Sequence, residues 1–324
     1  MLETHAVLDA VRHDWTTDAV ERYYRLPLTE LLCQAQGIHR QYHDPTAIQR
    51  CTLLSIKTGG CSEDCAYCPQ SAHYETGVSS QALMDTESVL EAARSAKSAG
   101  STRFCMGAAW REVDDGPSFD RILKMVEGVA ALDMEVCTTL GMLTSDQARR
   151  LKSAGLTAYN HNLDTSPEFY RQIITTRAYA DRLATLSHVQ DAGIAVCCGG
   201  IVGMGESARD RCALLAQLGR LDPHPESLPI NLLVRIRGTP MESMPDLDPL
   251  DLVRTVAAAR IVAPKARVRL SAGRCSLSDE TQALCFFGGA NSIFSGDKLL
   301  TSPNPAVDED VRLIQKLGLS FTGA

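Results

Sequence analysis

The sequence contains no apolar run approaching the roughly 18 residues needed to cross a bilayer. Its first 26 residues are broken up by Glu3, His5, Asp9, Arg12, His13 and Asp14, so they lack the basic start and continuous apolar centre of a secretory signal. A cytoplasmic location is therefore the expectation. Positive charge is not in excess either. Against 39 Asp and Glu stand 32 Lys and Arg, a net charge of −7, which argues against a broad basic face for nucleic acid. No linker, low-complexity tract or shift of composition divides the 324 residues, and one domain is expected.

Cysteine, by contrast, is plentiful. In a reducing compartment the 12 cysteines point to metal binding or catalysis rather than disulfides. Cys33, Cys51, Cys212, Cys275 and Cys285 have no partner at ligand spacing and read as small packing residues.

Residues 1–50 read as a helical extension, broken by Leu26-Pro27-Leu28. Strand-like runs then follow at 52–56, 102–106, 134–138, 157–161, 194–198, 229–234, 267–271 and 291–294. Helical periodicity occupies 86–99, 119–132, 145–154, 179–192 and 250–262 between them, with Gly100, Gly155 and Gly193 as stop signals. Eight strands alternating with helices predict an α/β fold, a (β/α)8 TIM-type barrel over 51–300 with a C-terminal tail at 301–324. A doubly wound open sheet is the alternative. Cys105, Cys137, Asn160, Cys197, Asn231 and Arg269 fall within otherwise apolar strands, which suits convergence on a barrel interior.

After the first strand comes Thr58-Gly59-Gly60-Cys61-Ser62-Glu63-Asp64-Cys65-Ala66-Tyr67-Cys68-Pro69. Three thiolates within eight residues can hold a [4Fe–4S] cluster while leaving its fourth iron open, because such clusters ordinarily take four cysteines. A structural zinc site completed by His73 or a distant Cys is the other reading. Zinc motifs, however, favour paired Cys-x2-Cys units, and no second pair exists.

Cys61, Cys65 and Cys68, with Tyr67 before the last of them, resemble the cluster motif of the radical S-adenosylmethionine (SAM) superfamily. Residues 52–59, 103–110, 159–165, 199–206, 268–274 and 289–294 further resemble the biotin synthases, and that likeness runs from about Leu28 to Gly318. The resemblance implies that SAM chelates the open iron and is split reductively to methionine and a 5′-deoxyadenosyl radical. It also implies sulfur insertion into dethiobiotin, with two SAM cleaved and sulfur supplied by a [2Fe–2S] cluster.

The positions matching that second cluster are Cys105, Cys137, Cys197 and Arg269. Taken singly, each cysteine is more often inert core, and Arg269 a buried ion-pair or phosphate-type anchor. Alternation lets only one of Cys197 and Cys198 face inward, and the resemblance chooses Cys197. It places Asn160, Asn162, Asp164, Arg182 and Tyr67 with SAM, and Asn231 and Lys57 with substrate. Asp164-Thr165-Ser166-Pro167 also reads as a helix start, and Arg182 as a solvated helix face. The glycines of 199–205 let backbone approach a ligand closely, but the Gly-Lys-Ser/Thr ending of a phosphate loop is missing. A flavodoxin- or ferredoxin-type electron donor and a homodimer are expected on the same ground. A lipoyl synthase-like inserter or diiron maturase, and a zinc-stabilised binding protein, are the competing readings.

Overall fold

Strands that are apolar on both faces must be covered on both, and a closed parallel barrel inside a ring of helices achieves this. The computed structural model, which describes residues 11–322, has that form. Strands β1 (Ala47–Lys57), β2 (Arg103–Ala108), β3 (Glu135–Thr139) and β4 (Ala158–Asn160) pair in order, all parallel. The fifth position is split into β5 (Ala195–Cys197) and β6 (Gly200–Val202), both against β7 (Ser227–Leu232). Then come β8 (Arg267–Leu270) and β9 (Ser292–Phe294), and β9 pairs back onto β1 with Gln49 opposite Ser292. That last pairing closes the barrel and disposes of the open-sheet alternative.

The break between β5 and β6 has a steric cause. A Cβ on Gly199 would sit 1.9 Å from the carbonyl oxygen of Pro229, so only glycine lets the two backbones come so close.

The helices start where the sequence supplies caps. Asp85 accepts from the Ser88 amide at 2.9 Å to open α3 (Thr86–Ser98). Thr144 and Gln147 form a capping box for α5 (Ser145–Ser153), as Ser207 and Asp210 do for α7 (Ala208–Gly219). Pro117 opens α4 (Pro117–Ala130) and Pro249 opens α8 (Pro249–Val262). Helix α6 (Tyr179–Asp191) completes the expected set, while α7, α9 (Asp279–Phe287) and α10 (Val307–Lys316) join it. In the N-terminal extension α1 (Thr17–Tyr24) packs on α7 and α2 (Leu28–Tyr42) on α8. Residues 1–10 of the extension, and 323–324 of the tail, lie outside the described residues.

The extension is not helical to its end, because β1 begins at Ala47. The tail is not featureless either: a short hairpin of β10 (Lys298–Leu299) with β11 (Ser302–Pro303) straddles its start, and α10 and β12 (Ser320–Phe321), which pairs beside β1, follow. No helix among the described residues is long and apolar enough to cross a membrane.

Alternation sorts the side chains into two cores. Phe104, Met106, Val136 and Val196 point outward into the large layer beneath the helices. Each such fully buried side chain contributes about 1.5–3 kcal/mol. Cys105, Cys137 and Cys197 point inward, with Ala158 and Phe294, into a much smaller interior layer. Below it the barrel is plugged by Arg103, 1% exposed, which donates to Glu135 at 2.7 Å and to Glu226 at 2.9 Å.

Candidate active site

A cavity of about 330 Å³ opens at the C-terminal ends of the strands and runs down into the interior thiol layer. This is where (β/α)8 barrels place their chemistry. Its mouth is bounded by the loop that follows β1. Gly59 and Gly60 turn that loop with φ of +68° and +66°, conformations open to glycine. The Cys61 amide then donates to the Gln70 carbonyl at 2.9 Å, and the Cys68 amide to the Cys65 carbonyl at 2.9 Å, closing the loop on itself.

Two carboxylates lock the loop to the barrel. Glu63, 2% exposed, accepts from Arg111 at 2.9 Å and from Arg177 at 3.2 Å. Asp64 accepts from the amides of Thr175 and Thr176 at 2.9 and 3.2 Å. Burial raises the Asp64 pKa, but these threonine hydrogen bonds outweigh it and hold the group at about 2. The sequence reading did not single out Glu63, Asp64, Arg111 or Arg177. Two adjacent acids between the first two cysteines of the loop were the available signal.

Cys61, Cys65 and Cys68 all line the cavity. Burial raises all three thiols above their ordinary range, Cys68 to about 11. Among the described residues no three His, Cys, Asp or Glu side chains meet at a point that would hold a single metal ion. A cluster spreads its thiolates over several irons, and these three thiols, which line the cavity, are the residues that could hold one. His73 is outside the cavity lining, its ring held by the Ser62 carbonyl at 3.1 Å.

Asp164, Asn162 and Arg182 gather beside this loop, and each lines the cavity. Asp164 Oδ2 accepts from Tyr67 at 2.8 Å and pairs with Arg182 Nη2 at 2.6 Å. Its Oδ1 makes no hydrogen bond among the described residues and is not shut away from the cavity. Asn162 Oδ1 accepts from the Gly199 amide and from Asn160, which leaves Nδ2 free. A free acceptor and a free donor therefore sit two residues apart. Asp164 opens no helix: its φ is +67°, and only a 3-10 turn at Tyr170–Gln172 follows. Arg182 is buried rather than on a solvated face, and it also donates to Tyr170 at 2.7 Å.

Deeper in the cavity lie Cys105, Cys137, Cys197 and Arg269, from four different strands. Arg269 is 1% exposed, anchored through Nε to Ser292 at 3.0 Å, with Nη1 3.8 Å from Cys197 Sγ. Asn160 Nδ2 donates to the same sulfur at 3.2 Å. The Cys137 thiol lies between the other two. Its hydrogen bonds hold Cys105 and Cys197 below the ordinary thiol range, with Arg269 assisting, while Cys137 itself is pushed up. Burial works against the Arg269 charge, but Cys51, Cys197 and Cys105 outweigh it and keep the guanidinium protonated. Cys198 points the other way, into the layer under the helices.

Two expected substrate contacts are differently engaged. Lys57 is absent from the cavity lining, and its Nζ donates to the carbonyls of Gly59 and Ala109, bracing the cysteine loop. Asn231 does line the cavity, but it donates to the Gly200 carbonyl at 3.0 Å and accepts from the Ala272 amide at 3.2 Å. Both ends of its amide tie strands together. The glycine-rich segment is also engaged, since buried Glu206 accepts from the amides of Gly203 and Met204. From the junction of barrel and tail, Leu299, Leu300, Thr301 and Ser302 reach over to line the cavity, a contribution no local pattern announces.

Comparison with known proteins agrees with this geometry. Residues 55–218 match the Radical SAM superfamily and 229–320 the Biotin and Thiamin Synthesis associated domain. The chain is 62% identical to the biotin synthase of Sorangium cellulosum (96% of this chain, 89% of that protein) and 63% identical to that of Methylococcus capsulatus (97% and 96%). Its fold is similar to a methylornithine synthase at a TM-score of 0.78 and 17% identity, covering 95% and 94% of the two chains. The same holds for the FeFe-hydrogenase maturase of Carboxydothermus hydrogenoformans at 0.78 and 16%, covering 95% and 76%.

Proposed function

The chain belongs to the biotin synthase family of radical SAM enzymes, and from that premise we propose that it converts dethiobiotin to biotin at this cavity. The observation that carries the reading is the stacking of two thiol sets at two depths of one cavity, the deeper one completed by a buried arginine. When bound, the cofactors supply what no side chain here can: reductive SAM cleavage for hydrogen removal at unactivated carbon, and sulfide for the new C–S bonds. Closing the thiophane ring makes two such bonds, which calls for two SAM per biotin.

The residues divide the binding work. Cys61, Cys65 and Cys68 hold the [4Fe–4S] cluster, with Lys57, Glu63 and Asp64 fixing the loop that carries them. Asp164 offers Oδ1 to a ribose hydroxyl, while Tyr67 and Arg182 fix its other oxygen and Arg182 adds positive charge for the methionine carboxylate. Asn162 offers Nδ2, and Asn160, between Cys197 and Asn162, sits where SAM and the ureido ring of substrate would meet. Cys105, Cys137, Cys197 and Arg269 hold the [2Fe–2S] cluster. Asn231 acts by holding the strand ends that form the wall. We read the barrel, extension and tail as one domain, since Leu299 to Ser302 complete the cavity. A one-electron donor of flavodoxin or ferredoxin type is the partner this chemistry requires, and the family resemblance supports a homodimer.

The test is iron, sulfide and optical analysis of anaerobically reconstituted protein beside Cys137→Ala, together with assay of biotin formed from dethiobiotin. Loss of a [2Fe–2S] spectrum with the [4Fe–4S] signal intact supports the reading. Wild-type protein that holds one cluster only overturns it.

A further inference from the structure

Cys51 is a barrel-interior thiol to which the proposed function gives no task. It lies on β1 two residues before Leu53, whose side chain lines the cavity, so strand alternation turns both inward with Cys51 one layer deeper. The thiol is fully buried and packs in the same small cluster as Cys105, Cys137, Cys197 and Phe294. It is not isolated from the deeper thiols. Arg269 Nη2 donates to Cys51 Sγ at 3.4 Å while Nη1 lies 3.8 Å from Cys197 Sγ. One guanidinium thus spans the gap between Cys51 and a thiol of the cage. The surroundings are polar as well, with Ser292 Oγ 3.7 Å from the sulfur and Gln49 bonded in turn to Ser292. A residue serving only as apolar filling would not need such neighbours.

We propose that Cys51 is a reserve ligand of the [2Fe–2S] cluster, taking the iron position of Arg269 when the guanidinium withdraws. This rests on the reading of Cys105, Cys137, Cys197 and Arg269 as the cluster site. Arginine is an unusual ligand because it must give up a proton to bind iron, whereas a cysteine thiolate is the ordinary one. The exchange balances without an outside reagent. One Fe–N bond breaks and one Fe–S bond forms, the thiol proton passes to the departing guanidine, and no electron moves. The contact between Arg269 and Cys51 provides the path for that proton. The extra negative charge on the cluster stays beside the guanidinium it has just restored.

Arg269 lines the cavity and touches Cys51, which does not line it. Shortening it to alanine removes the competing ligand and opens space beside the Cys51 thiol. The experiment compares wild type, Arg269→Ala and the double variant Arg269→Ala/Cys51→Ser, each reconstituted anaerobically with iron and sulfide. Mössbauer and optical spectra report the iron environments, and the rate of iron loss to a chelator reports how well the cluster is held. The [4Fe–4S] signal from the Cys61 loop serves as the fold control.

Arg269→Ala is expected to keep a [2Fe–2S] cluster whose two irons become alike, both with sulfur ligands only. The double variant is expected to release iron about 10-fold faster or more, with the two irons again unlike. Equal retention and identical spectra in the single and double variants would overturn the proposal, as would absence of the second cluster from Arg269→Ala. Absence of a [2Fe–2S] cluster from the wild type would instead be the failure of the underlying site assignment.

Discussion

Replacing Asp164 by asparagine removes one charge from a carboxylate that is 2% exposed and paired with Arg182 at 2.6 Å. The substitution is close to isosteric. Asparagine can still accept from Tyr67, and it tolerates the φ of +67° at this position. What remains is electrostatic: Arg182 keeps its charge in a buried site and loses its counter-charge. Breaking a buried pair by removing one partner costs about 3–5 kcal/mol. Arg182 retains the Tyr170 hydroxyl and the Asn162 carbonyl, which puts the effect near the lower end, about 3 kcal/mol. At roughly 2 cal/mol/K of unfolding entropy per residue, a chain of 324 residues then melts about 4–5 °C lower. Calorimetry or circular dichroism of cofactor-free protein reads this directly. SAM titration reads the second consequence: loss of a charged acceptor should weaken binding about 10-fold. A melting temperature within about 1 °C of wild type would refute the energetic argument, and unchanged SAM affinity would refute the role given to Oδ1.

Glycine substitutions should separate close approach from simple propensity. Gly199→Ala places a methyl 1.9 Å from the Pro229 carbonyl oxygen, so soluble yield should collapse, whereas Gly37→Ala meets nothing within 4 Å on α2 and should raise stability by about 0.5–1 kcal/mol in denaturant titrations. Acid stability should depend on His39 and His43, which burial first and Arg260 second push down to about 3 and about 4. Both bind fewer protons folded than unfolded, so the contribution is complete above about 6.5 and is lost as pH falls through the window toward 4. His43→Gln, which can still accept from Arg260, should flatten that part of a melting-temperature profile, and an unchanged acid limb would reject the assignment.

The alternation of strand and helix was legible because it is written in local periodicity and caps. All eight expected strand positions exist, in order and within a few residues. The residues near 208–219 and 279–287 form helices that were not foreseen. In α7 the run 212–216 is apolar all round, so it shows little of the two-faced pattern that announces a helix. Asp164 carried a misleading signal. Asp-Thr-Ser-Pro has helix-start chemistry, but pairing with Arg182 and Tyr67 holds the aspartate at positive φ instead.

By itself the sequence determined the cysteine loop, because three thiols within eight residues are kept near one another by short-range chain geometry whatever lies beyond. It also determined the barrel's rhythm and the likeness to a family. Tertiary structure alone decided what meets across the barrel. Cys105, Cys137, Cys197 and Arg269 come from strands far apart in the chain, and only inter-strand register and closure of β9 on β1 bring them to one interior layer. The same long-range pairing turned Lys57 and Asn231 toward backbone carbonyls, brought residues 299–302 over the cavity, and set Cys51 against Arg269. Such contacts depend on which strand neighbours which and at what stagger, and no window of adjacent residues encodes that.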